Sequence, residues 1–132
     1  MKHLLLVLLA ACGTHPPPPE PPKSLQLNAT GEAVDVGAVL VPGYVTVVDF
    51  WSESCGACIT VGGMLAVQVA KQPRVVIRKI DVGDGDTPVG RAYKIGALPH
   101  YRIYDKQRRL RYDLVGNDCL KAPDYARLLA GE

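Results

Sequence analysis

The sequence predicts an α/β fold, a central mixed β-sheet flanked by helices, from three observations. Residues 44–51 (YVTVVDFW) and 75–82 (VVIRKIDV) are β-branched runs long enough to form buried strands, and residues 55–72 between them have helical composition. Strand, helix and strand in that order make a parallel crossover unit. Two further runs, 100–104 and 110–115, flank a turn at 105–109 and read as an antiparallel hairpin, so the sheet is mixed.

The remaining elements follow from local signals. Folded structure is expected from near Ser24. Gly62 and Gly63 weaken the first helix, each costing about 1 kcal/mol relative to Ala. A turn is read at 83–86, and Thr87-Pro88 opens a short helix with Pro at its first position, running to about Tyr93. A closing helix at 123–130 ends before Gly131.

Both composition and length limit what the chain can do. It has 132 residues, 15 Lys and Arg against 13 Asp and Glu, and a formal net charge of +2. That balance, with no aromatic or basic array, excludes a nucleic-acid partner. The apolar run at 4–11 and the proline-rich stretch at 16–22 belong to no ordinary core. About 100 residues remain, enough for one compact domain and too few for a multi-domain enzyme.

The amino terminus reads as an address. Lys2, the apolar run and Leu9-Ala10-Ala11 make a secretory signal too short to span a bilayer, and Cys12 follows directly. The segment 9–12 (LAAC) resembles the lipobox of bacterial lipoproteins. That resemblance implies cleavage after residue 11, acylation of Cys12 and attachment to the cell envelope on the extracytoplasmic side. With Gly13 after the lipidated Cys, it favours the outer over the inner membrane. Residues 12–32 are assigned as the anchor and linker, and 33–132 as the domain. The linker residues GTHPPPPEPPK lack the N–H groups and the φ freedom for a helix and predict an extended polyproline II spacer of about 3.1 Å per residue.

The chemistry sits at Cys55-Gly56-Ala57-Cys58, directly after a buried strand and at the first turn of a helix. Unpaired N–H groups and the helix dipole favour a thiolate there. Cys55, the earlier and more exposed thiol, is expected to be the nucleophile, and Cys58 the buried resolving thiol. A zinc site needs ligands the chain does not pair with these two, and covalent haem needs His where Ile59 stands. A disulfide closing so small a loop constrains little of the unfolded chain, which leaves redox activity as its use. Cu(I) handling by the two thiolates and a noncatalytic scaffold are the alternatives from other classes. No metal is assigned, and no cofactor beyond the Cys55–Cys58 disulfide itself.

The segment VVDFWSESCGAC (47–58) resembles the active-site segment of the thioredoxin family, VDFWAxWCGPC. Lys79 in VVIRKIDV and YKIGALP (93–99) are similar to further family positions, and Gly116 resembles the glycine after the last strand. The thioredoxin fold is therefore implied for the whole domain. The resemblance also implies a mechanism: Cys55 exchanges with a substrate disulfide, Cys58 resolves it, and buried Asp49 is a general base for Cys58, with Lys79 either its ion-pair partner or a solvated lysine next to Arg78. Pro99 is expected to be cis beside the dithiol. Trp51, Gly56, Ala57, Leu98, Pro99 and Gly116 are the expected substrate-binding surface.

Departures from the family pattern bear on direction. Ala57 replaces Pro, Ser54 replaces Trp, and Gly63 stands where a helix-kinking Pro is usual. Leu98 is closer to the residue of reducing members, which favours a protein-disulfide reductase over a disulfide-forming or isomerising oxidant. A reductase in that compartment requires a membrane electron donor, and a monomer is expected. Two residues stay open: His100 either hydrogen-bonds near Cys55 or starts the hairpin, and Cys119 is either a third redox thiol or a buried Cys. The basic cluster around the hairpin turn reads as a solvated sheet edge.

Overall fold

The computed structural model describes residues 13–131; the segment read as a signal peptide, 1–11, and the proposed lipidation residue Cys12 lie outside the described residues. Valine and isoleucine fill the central strands because both faces of the sheet are covered. In chain order the elements are β1 (Ser24–Gln26), α1 (Val36–Val39), β2 (Val45–Trp51), α2 (Gly56–Val69), β3 (Val75–Asp81), α3 (Pro88–Ala92), β4 (His100–Tyr104) and β5 (Leu110–Val115). A 3-10 helix at Gly116–Lys121 then leads into α4 (Ala122–Ala130). The five-stranded sheet has the order β1-β3-β2-β4-β5. β1 and β2 run parallel to β3, while β4 is antiparallel to β2 and β5 to β4. This is the mixed sheet expected from the strand and helix order, in the thioredoxin arrangement that the family resemblance implies.

Alternation along the strands sorts side chains into two cores. Val45, Val47, Val75, Ile77, Tyr101 and Ile103 face Leu65 and Val69 of α2 and Ala126 of α4. Val48, Phe50, Ile80 and Val82 face the other way, against Val36 of α1 and Val89 of α3. Asp49 shares the parity of Val45 and Val47 and so points at α2.

Several boundaries differ from the sequence reading, each for a local reason. The sheet begins inside the segment assigned to the linker: Ser24–Gln26 pairs with Ile77–Lys79, and Lys23 Nζ donates to the carbonyls of Gln72, Pro73 and Val75. All three β1 side chains are exposed, so no apolar alternation marks the strand. The helix read at 55–72 is Gly56–Val69, because Cys55 is its N-cap and Ala70 its C-cap. It runs unbroken through Gly62 and Gly63. α1 is four residues long without a capping side-chain bond, and the 3-10 helix occupies the stretch between the last strand and the closing helix, to which the sequence reading assigned no element. Residues 13–22 carry neither helix nor strand, and no helix among the described residues is long and apolar enough to cross a membrane.

The short helices are closed as their sequences require. Thr87 Oγ1 accepts the Gly90 N–H at 3.2 Å with Pro88 at the first position, and Gly131 ends α4 at φ +78°.

Candidate active site

The handover from β2 to α2 places the dithiol. β2 is buried along its length until Trp51, and the chain then exposes Glu53 and Ser54 before the helix starts. Cys55 is the N-cap: its Sγ accepts the N–H of Cys58 at 3.1 Å, satisfying one of the donors that a helix start leaves unpaired. Cys55 and Cys58 are joined in a disulfide, with Cα atoms 5.2 Å apart. Cys55 is half-buried and Cys58 only 3% exposed, the asymmetry that an attacking and a resolving thiol require. Gly56 and Ala57 are exposed between them.

Beneath the helix, Asp49 is 1% exposed and its Oδ1 has no hydrogen-bond partner among the described residues. Burial pushes its carboxyl from 3.8 up to about 7, against the opposing pull of the Lys79 charge. A group poised there can take up and give back a proton near neutral pH. Of the two readings of Lys79, the ion pair with Asp49 does not form. Lys79 instead stands over the Trp51 ring, and Trp51 Nε1 donates to Gln26 Oε1 at 3.0 Å.

The Leu98–Pro99 peptide is cis as expected, and it directly precedes His100, whose Cα pairs with that of Phe50 near the end of β2 that leads to the dithiol. Leu98 is half-buried against the α1/α3 core and Pro99 is buried. The Pro99 carbonyl accepts the N–H of Gly116 at 2.8 Å and the thiol of Cys119 at 3.5 Å. Gly116 adopts φ +61°, a left-handed conformation that glycine enters without steric cost, and this brings its N–H to Pro99. The strand that carries Pro99 and the turn that carries Gly116 are thus tied together.

Two open residues are now placed. His100 lies on the face away from α2, with Nε2 bonded to Asp113 Oδ1 and its ring edge against Phe50. Cys119 is 1% exposed, donates to the Leu114 and Pro99 carbonyls, and burial pushes its thiol up to about 12. Such a thiol is packing, not a third redox group. The basic cluster is partly built in: Asp105, 3% exposed, accepts from Arg109 and Arg111 and from two turn N–H groups.

Sequence reasoning passed over Gln26, Gly62 and Tyr101. Gly62 had a signal, since it lies one helical turn from Cys58 and so on the same face. Tyr101, two residues beyond Pro99, shares the face of Asp49 by strand alternation.

Similarity to known proteins agrees with this geometry. The Thioredoxin family model matches residues 38–122. A thioredoxin of Mycoplasma pneumoniae is 31% identical over 71 residues, spanning 54% of this chain and 69% of that protein. Schistosoma mansoni thioredoxin superposes with a TM-score of 0.61 at 24% identity, covering 80% of this chain and 94% of its own. Trichomonas vaginalis thioredoxin does so with a TM-score of 0.63 at 19% identity, covering 80% and 96%. These two structures share the fold, and the family match spans the strand, the dithiol and the cis-proline. The chain therefore belongs to the thioredoxin family, and its Cys55–Cys58 pair makes it a thiol–disulfide oxidoreductase acting on thiol and disulfide substrates.

Proposed function

We propose that the protein is a lipid-anchored, extracytoplasmic reductase of protein disulfides. The observation that carries the chemistry is the asymmetric pair at the α2 start, half-buried Cys55 ahead of buried Cys58, with Asp49 below. In the reduced protein the Cys55 thiolate attacks a substrate disulfide, forming a mixed disulfide and releasing one substrate thiolate. Asp49 accepts the Cys58 proton, and the Cys58 thiolate attacks Cys55 Sγ. The Cys55–Cys58 disulfide forms and the second substrate thiolate leaves, taking up the proton that Asp49 returns. Leu98, Pro99, Gly116, Trp51, Gly56 and Ala57 make the surface on which the substrate segment lies, its backbone pairing beside Pro99.

Anchoring rests on the LAAC segment, with Cys12 as the acylated residue, and on the proline-rich spacer. The path of the chain suits that role. β1 runs parallel to β2, and Lys23 is held at Gln72, Pro73 and Val75, at the start of β3. The dithiol follows the far end of β2, about 20 Å away for a strand of this length. A spacer entering at one pole presents the dithiol at the other, away from the lipid surface. Re-reduction in that compartment requires a membrane electron donor, and Leu98 before Pro99 favours the reducing direction.

Insulin reduction driven by dithiothreitol tests the chemistry: the wild-type rate should exceed the Cys55→Ser rate at least tenfold, and equal rates refute catalysis. A dithiol potential at the oxidising end of the family's range would select disulfide formation instead. Incorporation of labelled palmitate into the full chain and not into Cys12→Ser tests the anchor, and equal labelling rejects it.

A further inference from the structure

The mechanism above leaves unused a buried hydroxyl that faces its base. Tyr101 is fully buried in β4, and its Oη has no hydrogen-bond partner among the described residues. Asp49 Oδ1 is in the same position. A buried hydroxyl without an acceptor is costly, and the second oxygen of the same carboxyl, Oδ2, lies toward it. Both side chains converge on a single point, the place where Gly62 lacks a Cβ. An atom there would stand 3.5 Å from Asp49 Oδ2 and 3.8 Å from Tyr101 Oη. Gly62 follows Cys58 by one helical turn, so both lie on the α2 face that covers Asp49.

We propose that Gly62 keeps open a water-sized space through which the Tyr101 hydroxyl donates to the Asp49 carboxylate, making Tyr101 a positioning residue for proton removal from Cys58. The inference rests on the reading of Asp49 as the base for Cys58. A water in this space has the Asp49 carboxylate and the Tyr101 hydroxyl beside it, the two polar neighbours that a buried water needs at the least. Tyr101 keeps its proton throughout, because burial and then the neighbouring Asp49 and Cys119 raise its pKa. It therefore donates a hydrogen bond and never carries the transferred proton. That proton moves from Cys58 Sγ to Asp49, and later to the departing substrate thiolate.

The groups that face Asp49 from the elements around it are few. Lys79 of β3 lowers its pKa by charge, Tyr101 of β4 and Cys119 of the 3-10 helix are neutral, and Cys58 of α2 is the partner in the transfer. Losing a donor to the charged form raises a carboxyl pKa, so the direction of the effect is fixed.

The test mixes the reduced full chain with an aromatic disulfide and follows thiolate release by stopped flow from pH 5 to 9. The first phase reports attack by Cys55 and the second reports resolution by Cys58. Tyr101→Phe should leave the first phase unchanged and move the pH midpoint of the second upward by about half a unit to one unit, a three- to tenfold slowing on the acid side. Gly62→Ala fills the space with a methyl group at ordinary contact distance and should move the midpoint the same way while raising the thermal midpoint, since Ala favours the helix. A merely structural role would tie slowing to lost stability, which Gly62→Ala does not. The double variant should shift no further than the larger single shift. An unchanged midpoint in Tyr101→Phe or in Gly62→Ala, with the second phase lost in Asp49→Asn, overturns the Tyr101 path and leaves Asp49 as base. An unchanged second phase in Asp49→Asn overturns both.

Discussion

The ammonium of Lys79 stands 4.4 Å from the centre of the Trp51 ring, although the Lys79 Cα is paired across the sheet with that of Asp49. The charge is spent on an aromatic face at the edge of the active site and not on an ion pair with the buried acid. It still reaches Asp49 through the protein, where it opposes the effect of burial. The arrangement keeps Asp49 protonatable near neutrality, which a direct salt bridge would prevent by holding the carboxylate charged.

Lys79→Met should therefore act on Asp49 without touching it. Removing the positive charge raises the Asp49 pKa above about 7, and the pH midpoint of Cys58 resolution should rise by roughly half a unit. Loss of the cation–π contact costs about 0.5–1 kcal/mol and should change the emission of Trp51, the single tryptophan of the chain. A midpoint that falls or stays fixed would reject the long-range influence.

Asp49 should also set the pH dependence of stability. Its pKa is raised from 3.8 to about 7 on folding, so between those values the folded state holds a proton that the unfolded chain has lost. Stability contributed by this group is thus full below about pH 4 and is lost as pH rises through 7. Asp49→Asn removes that slope. Chemical denaturation should show the variant nearly equal to wild type at pH 4 and more stable by on the order of 3–4 kcal/mol at pH 8. Equal stability at both pH values would mean the carboxyl is not desolvated.

Cys119 should be silent in the chemistry and audible in the folding. It is 1% exposed with a thiol pushed up to about 12, so iodoacetamide should label it only after denaturation. Cys119→Ala empties a small buried volume beside Ala122 and frees one hydrogen bond at the Pro99 carbonyl, which Gly116 still satisfies. A loss of about 1–2 kcal/mol is expected, with insulin reduction within twofold of wild type. Fast labelling of the native protein would restore the third-thiol reading.

The sequence made the redox pair and its surroundings legible because each depends on local or alternating signals. Cys55 and Cys58 at a strand-to-helix handover, Asp49 in a β-branched run and Pro99 before a hairpin all carry their context beside them. What escaped depends on tertiary contact. β1 is three exposed residues with no alternation, and it is a strand because Ile77–Lys79 offers an open edge. The family resemblance offered Lys79 as a partner for Asp49, and their Cα atoms do pair across the sheet, but the long Lys79 side chain reaches past to the Trp51 ring. Gly62 read as a defect in a helix, whereas its missing side chain faces the base.

His100 gives the sharpest separation between position in sequence and position in space. It follows Pro99 directly, yet strand alternation turns its side chain to the face away from α2, where Nε2 meets Asp113 and Arg102 Nε approaches the same carboxylate at 3.4 Å. Asp113 is half-exposed while His100 is 7% exposed, so the pair joins a buried ring to the wet edge of the hairpin. Asp113→Ala leaves His100 Nε2 without its acceptor, and the buried ring bears the loss, about 1–3 kcal/mol by denaturant titration. Because neither residue faces the dithiol, the rate of Cys55 alkylation in the reduced protein should stay within twofold of wild type from pH 5 to 8. A change of fivefold or more in that rate would place His100 at the thiolate and overturn the assignment.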